Sequence, residues 1–146
     1  MNSPSSEIYF FPEDVKLTLR DKGKVRAWLI GIAQNHRYDI LSLNYVFVTD
    51  RKLLRINTEY LGHDTLTDII TFDLRVGREK KISAEIYISV ARVRENAKKY
   101  GCTFRDELHR VMAHGLLHLV GFRDKTSAEK ERMRRQEEKA LALRTF

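Results

Sequence analysis

The chain has 146 residues, 42% of them hydrophobic and 32% charged, which fits one folded domain and excludes a disordered polyelectrolyte. No apolar run is long enough to cross a membrane, the N-terminal residues do not resemble a secretory signal, and the single cysteine, Cys102, indicates a reduced, cytoplasmic compartment. The net charge is +7, and residues 75–146 carry 18 Lys and Arg against 10 Asp and Glu, which fits either a nucleic-acid partner or a solvated surface.

Hydrophobic periodicity and capping residues predict four strands and five helices. The strands are expected at 7–11, 43–49, 67–74 and 82–89, and the helices at 23–36, 51–61, 90–100, 103–120 and 127–143. Asp50 is the expected N-cap of the second helix and Thr103 that of the fourth, which Gly121 ends. The order predicts an α+β fold: a single domain over residues 1–146, with one small mixed sheet covered by helices on one side.

The stretch HGLLHLVGFRD, from His114 to Asp124, closes the fourth helix. His114 and His118 are one turn apart and project from the same side. Gly121 allows the chain to reverse, so Asp124 can turn back toward both imidazoles. Gly115 inside the helix indicates that something packs close to its backbone. The pattern H-x-x-x-H-x-x-G-x-x-D therefore predicts a metal site at the end of a long helix.

Two imidazoles and one carboxylate suit Zn²⁺, one ion per chain, although Ni²⁺ or Fe²⁺ could also bind. Three protein ligands with one open position are typical of catalytic zinc. The alternative is an apolar helix whose histidines serve packing. Zinc proteases place a glutamate directly after the first histidine as the general base, and Gly115 at that position disfavours peptide hydrolysis.

These residues resemble the signature of the YbeY family, the bacterial rRNA maturation factors. The family patterns are H-G-x-L-H-L-x-G-[aromatic]-D-H and N-x-x-Y-R-G-x-D-x-P-T-D-[apolar]-[apolar]-S-F, and SAEIYIS resembles a third, G-[DE]-I-x-I. The resemblance is strongest over residues 40–126. The matching residues are His114, Gly115, Leu117, His118, Leu119, Gly121 and Phe122 in the first pattern and Asn57, Tyr60, Gly62, Asp64, Thr67, Asp68 and Phe72 in the second.

The resemblance implies a cytoplasmic, zinc-dependent endoribonuclease that acts on single-stranded rRNA. It also implies a role in 16S rRNA 3′-end maturation and ribosome quality control, with rRNA and the small ribosomal subunit as partners. Three departures qualify this. Asp124 stands at the family's third histidine, Leu61 at an arginine suited to contact phosphate, and Leu66 at a proline.

Several roles follow from such a site. A metal-bound water is the expected nucleophile. Asp68 is the candidate general base, although capping of the turn at 67–68 would explain it equally well. Arg94 and Lys98 share a helical face and are the candidate contacts to the RNA backbone. Two rival functions remain: a metalloprotease of the H-x-x-x-H-x-x-G-x-x-D type, and a non-catalytic ribosome-assembly factor whose metal only staples the C-terminal turn.

Overall fold

The first hundred residues contain four strands and three helices, with the third strand followed directly by the fourth, and two long helices complete the chain. The computed structural model describes residues 6–77 and 79–146; residues 1–5 and Arg78 of the predicted domain lie outside the described part. The strands are β1 (Glu7–Pro12), β2 (Asp39–Val48), β3 (Ile69–Asp73) and β4 (Lys81–Ser89). The helices are α1 (Lys22–Asn35), α2 (Asp50–Leu61), α3 (Val90–Tyr100), α4 (Phe104–Leu119) and α5 (Ser127–Ala142).

The four strands form one mixed sheet in the order β1-β2-β4-β3. β1 runs parallel to β2, and β2 runs parallel to β4. The edge strand β3 runs antiparallel to β4, with Ile69 opposite Ile88. The predicted α+β class with one small mixed sheet is therefore confirmed. The sheet order could not be read locally, because it depends on where the crossover helices α1 and α2 return the chain.

The main core lies between one face of the sheet and the helices α1, α3, α4 and α5. Alternate residues of the central strands point into it, among them Tyr45, Phe47, Ile86 and Ile88, all fully buried. The Tyr45 hydroxyl donates to the carbonyl of Met112 in α4 at 2.9 Å, which satisfies the only polar atom of that side chain inside the core. The sheet thus serves as the support against which α4 is held.

Helix α2 lies on the opposite face of the sheet, which differs from the expectation that all helices would cover one side. A second, smaller apolar cluster joins Leu53 and Ile56 of α2 to Val48 and Ile70. The physical reason is the side-chain alternation of a strand: Val48 and Ile70 point away from the main core and need their own cover.

The N-cap of α2 also differs from the expectation. Thr49, not Asp50, is the cap, and its side chain accepts a hydrogen bond from the Lys52 amide. Asp50 instead accepts from the Ser89 hydroxyl at 2.6 Å and pairs with Arg92 at 3.1 Å, which ties α2 to the start of α3. Among the described residues no helix is both long enough and apolar enough to cross a membrane.

Candidate metal centre

Helix α4 carries the two histidines. Its N-terminus is capped as predicted, because the Thr103 hydroxyl accepts from the Asp106 amide at 3.0 Å. The apolar face of α4 lies buried against the sheet and α5, so the helix cannot rotate about its axis. His114 and His118 emerge at the edge of that buried face, with 17% and 31% of their side chains exposed. A rigid helix thereby fixes the directions of both imidazoles.

Gly115 lies where α4 comes closest to the sheet. A Cβ added there would stand 2.9 Å from Ile69 Cδ1 and 3.0 Å from Ile86 Cδ1, closer than side chains ordinarily approach. The expectation of close packing at this glycine is confirmed. The consequence for the site is direct, since the neighbouring His114 is held at a depth set by contact between helix and sheet.

Asp124 returns to the helix through a tight reversal. Gly121 adopts φ 107°, a left-handed conformation that favours glycine. The amide of Phe122 then donates to the carbonyl of Leu117 at 3.0 Å, which closes the end of the helix. Three residues after Gly121, the Asp124 carboxylate faces the two histidines, as the spacing predicted.

The three side chains present one potential ligand atom each, in a small triangle. His114 Nε2 and His118 Nε2 are 3.1 Å apart, and Asp124 Oδ2 is 3.3 Å from each of them. Tetrahedral donors at zinc bond lengths of about 2.0–2.1 Å would be separated by about 3.3 Å. The triangle therefore has the dimensions of three corners of a tetrahedral zinc site, and its donor types suit such an ion.

A buried carboxylate of α5 orients the first histidine. Glu137 is 5% exposed, and its Oε2 lies 2.6 Å from Nδ1 of His114. Because an ionised carboxylate only accepts, Nδ1 must carry the ring proton, and Nε2 is left with a lone pair directed at the triangle. Carboxylate–histidine pairs of this kind are typical of metal sites, where they fix the ring and its tautomer.

A guanidinium supports this carboxylate in turn. Arg110 donates to Glu137 at 2.9 Å and, in a fork, to Glu107 at 2.8 and 2.6 Å. Burial works to raise the pKa of Glu137, but the hydrogen bond with His114 and the charge of Arg110 outweigh it and hold that pKa below its usual range. Glu137 is therefore ionised at neutral pH, as its role beside His114 requires.

The sequence analysis did not identify Glu137 or Arg110. One signal was present: in α5 the apolar stripe contains Met133 and Ala140, and Glu137 falls on the same face between them. A charged residue on the buried face of a helix is rarely tolerated without a partner. That argument would have marked Glu137 as paired, although it could not have named His114, which lies 23 residues away.

Asp68 lies close enough to the candidate site for the charge of Arg110 to affect its carboxyl group. Burial raises the pKa of the Asp68 carboxyl above its usual range, against the opposing positive charge of Arg110. Its backbone carbonyl accepts from the Ser89 amide at 2.9 Å, and its Oδ2 accepts a long 3.4 Å hydrogen bond from Asn96. These contacts fit the structural role of Asp68, and its role as a general base stays a prediction.

The segment that precedes Asp68 is shaped by Asn57. This buried residue of α2 donates to the carbonyl of Thr65 at 2.9 Å, and its own carbonyl accepts from the His63 amide at 3.1 Å. Leu61, at the end of α2, is 46% exposed. The segment is therefore held by backbone contacts, and Leu61 presents an apolar surface where the family pattern has arginine.

Arg94 and Lys98, the predicted contacts to RNA, both lie exposed on α3. The guanidinium of Arg94 stacks over the ring of Phe104 at 5.2 Å, while Lys98 lies one turn further along α3. Their role in binding RNA stays a prediction.

Comparison with known proteins places these features in a family. The family model described as endoribonuclease YbeY matches residues 13–144. A protein of Cytophaga hutchinsonii named endoribonuclease YbeY is 50% identical over 139 residues, which are 95% of this chain and 96% of that protein. A protein of Amoebophilus asiaticus with the same name is 42% identical over 92% of this chain and 90% of its own length.

A solved structure agrees with the fold. The solution structure of a Thermotoga maritima protein superposes with a TM-score of 0.62 at 25% identity, covering 92% of this chain and 86% of that one. The match of the family model over nearly the whole chain, together with the curated relatives, decides the assignment: this chain is a member of the YbeY endoribonuclease family.

Proposed function

We propose that the protein is a zinc-dependent endoribonuclease that cuts single-stranded RNA at the centre formed by His114, His118 and Asp124. The observation that carries the proposal is the triangle of three ligand atoms, 3.1 to 3.3 Å apart, in a chain whose curated relatives are named endoribonucleases. The biological substrate proposed is rRNA of the small ribosomal subunit, in 16S rRNA 3′-end maturation and ribosome quality control in the cytoplasm. The +8 net charge of residues 75–146 supports such a polyanionic partner.

The donor set supports zinc as the ion. Two imidazole nitrogens and one carboxylate oxygen suit Zn²⁺, and Ni²⁺ or Fe²⁺ are the alternatives with the same donors. When bound, such an ion supplies Lewis acidity toward a phosphate oxygen and lowers the pKa of a water molecule. The protein's part is to hold the donors still: α4 aims His114 and His118, the Gly121 turn aims Asp124, and Glu137 fixes the ring of His114.

Asp68 is the proposed proton acceptor. A carboxyl whose pKa is raised by burial takes up a proton more readily than an exposed aspartate does, and general bases work best near the ambient pH. Arg94 and Lys98 are proposed as further contacts to the RNA backbone, since both are exposed cations on one face of α3.

The protease alternative conflicts with the packing at Gly115. A general-base glutamate at this position would place its Cβ 2.9 Å from Ile69 Cδ1 and 3.0 Å from Ile86 Cδ1, so both side chains would have to shift to accommodate it. The assembly-factor alternative requires a closed site with four protein ligands. Within residues 6–77 and 79–146 the potential ligands at this place number three, which supports an open site.

The proposal is tested by comparing zinc-loaded protein with the His114→Ala and Asp68→Asn variants on a labelled single-stranded RNA. Cleavage should require zinc, stop on chelation and return when zinc is added back. His114→Ala should lose both tightly bound zinc and cleavage, because two remaining ligands hold the ion weakly. Asp68→Asn should keep the zinc and lose most of the rate, by about 10²-fold or more if it is the general base.

Cleavage that survives chelation and the His114→Ala change would contradict the proposal. Zinc-loaded protein that binds small ribosomal subunits without ever cutting RNA would favour the assembly factor. Conversion of Leu61 to arginine would then show whether the missing cation explains the lack of cleavage.

A further inference from the structure

A groove of about 690 Å³ runs between α4 and α5 and opens onto the metal centre. His114 and Asp124 line it at the metal centre, and Tyr100 lines it at the end of α3. Met133 and Leu141 of α5 contribute apolar surface between these points. The groove is therefore continuous with the site at which the proposed reaction takes place.

The cations of the groove fall into two groups. Arg110 and Arg144 are already engaged, each in a short ion pair of 2.6 to 3.0 Å with a carboxylate. Lys130 and Arg134 are exposed, and within the described parts of the chain neither has a carboxylate oxygen within 4.0 Å. Only the second group is free to bind an anion without breaking an existing pair.

Lys130 and Arg134 are four residues apart in α5 and so lie on one face, about 6 Å apart along the helix axis. That face lines the groove. Both side chains are long enough to reach neighbouring phosphates of one extended strand. Glu138, one further turn along, also lines the groove. A carboxylate there repels phosphate, so the cationic stretch is short and ends within two turns of its start.

We propose that single-stranded RNA leaves the metal centre along this groove, with Lys130 and Arg134 contacting the phosphates next to the one that is cleaved. The inference rests on the proposed function and adds the path of the substrate. Charge complementarity supports it, because Lys130 and Arg134 keep their charges free for a polyanion. Three of the carboxylates that line the groove are engaged, Asp106 by Arg144, Glu107 by Arg110, and Glu137 by Arg110 and His114. The occupant is a backbone and not a particular base, so binding through these residues is independent of sequence.

The test uses the zinc-loaded, full-length protein with fluorescein-labelled oligouridylate, and follows binding by anisotropy over a salt series. Intactness of the RNA is checked on a gel. The test variant is Lys130→Glu with Arg134→Glu. The matched control is Arg132→Glu with Arg135→Glu, which makes the same charge change on the same helix at positions outside the groove lining.

The test variant should bind RNA at least about 10-fold more weakly at low salt. Its plot of log affinity against log salt should be shallower by about 1.4, the value for two lost phosphate contacts on a single strand. Zinc content should equal that of the wild type. The control should bind within about twofold of the wild type, because its changed residues lie outside the groove lining. If the overall charge of the protein determined the affinity, both variants would bind more weakly by the same factor.

Equal affinity of the test variant and the control would overturn the groove as the path, and the proposed function would stand if the wild type still cut RNA. Failure of the zinc-loaded wild type to bind or cut RNA would overturn the proposed function and the path together. A test variant that loses its zinc would also contradict the assignment, because it would place Lys130 or Arg134 in the support of the metal centre.

Discussion

Asp124 stands where the family pattern quoted above has a histidine, and this difference has a chemical consequence for the proposed metal site. Its Oδ2 is equidistant from both histidine nitrogens at 3.3 Å, as a third ligand would be. A carboxylate neutralises more of the ion's charge than an imidazole does, and so leaves the ion a weaker Lewis acid. For the proposed zinc centre, we therefore expect Asp124 to affect the pH at which cleavage begins as well as the binding of the metal.

We expect Asp124→His to retain one equivalent of zinc and to shift the pH of half-maximal RNA cleavage downward. The reason is that a neutral ligand leaves more positive charge on the ion to stabilise hydroxide. Metal analysis after dialysis and a pH profile of cleavage measure both effects. A variant unable to hold zinc would show that position 124 does not supply the third ligand.

Glu137 offers a second test at the level of single residues. We expect Glu137→Gln to weaken zinc binding by about 10–100-fold, because an amide is a poorer acceptor for the Nδ1 proton of His114 and leaves the charge of Arg110 less well matched. Competition with a chromophoric chelator gives the affinity. Glu138→Gln is the control: it makes the same chemical change one residue further along on an exposed side chain, and zinc affinity should not change.

At the level of elements, the seating of α4 on the sheet determines the position of the site. Gly115→Ala gains about 1 kcal/mol of helix propensity but places a methyl group against Ile69 and Ile86, and overpacking costs about 1–3 kcal/mol. We expect a net loss of about 1 kcal/mol in the free energy of unfolding, measured with urea.

Two further variants test whether contact with Ile69 causes this loss of stability. Gly31→Ala, in α1 with no atom within 4 Å of the added Cβ, should be neutral or stabilising by up to about 1 kcal/mol. Adding Ile69→Val to Gly115→Ala removes the Cδ1 in closest contact, so the double variant should be more stable than the sum of the single effects. Strict additivity would mean that the methyl group of the alanine does not meet Ile69.

The boundaries of helices and strands were predictable where they depend on residues close by in the sequence. The caps at Thr103 and the glycine at 121 act through neighbouring backbone atoms, and they were located from the sequence. Thr49 and Asp50 are both good caps, and a contact with Arg92 far along the chain decided between them. Likewise, nothing near α2 in the sequence indicates which face of the sheet it covers, because Val48 and Ile70 come together only in the folded sheet.

The candidate metal site also has a part that was predictable from nearby residues and a part that was not. Its three proposed ligands lie within eleven consecutive residues on a helix and the turn that ends it, so spacing alone predicted their convergence. Glu137 reaches His114 from another helix, and the pairing depends on how α5 packs against α4. Arg110 could be recognised as charged, but its partly buried position between two carboxylates could not be predicted.

At the level of the whole molecule, the first helix and the C-terminal residues of the chain both contact His109. This residue of α4 is 1% exposed, and its Nδ1 accepts from Arg144 near the C-terminus at 2.9 Å. Its ring packs against Trp28 of α1 and Phe146, with centroids 5.4 and 5.7 Å away. One imidazole therefore links α1, α4 and the last residues of the chain.

Burial, helped by the charge of Arg144, lowers the pKa of His109 to about 4. In the unfolded chain a histidine titrates near about 6.5. Between these values the unfolded state binds a proton that the folded state does not. The stabilising contribution of the neutral ring is therefore complete above about pH 6.5 and is lost as the pH falls toward 4.

We expect the metal-free protein to lose about 2 kcal/mol of unfolding free energy from this residue between about pH 7 and about pH 5. His109→Gln can still accept from Arg144 but cannot titrate, so its unfolding free energy should fall less over the same interval. His63→Gln, in the exposed segment after α2, should behave as the wild type does. Urea unfolding at the two pH values, with a chelator present so that zinc does not contribute, makes the comparison. Equal losses in the wild type and in His109→Gln would show that the folded protein accommodates a charged His109.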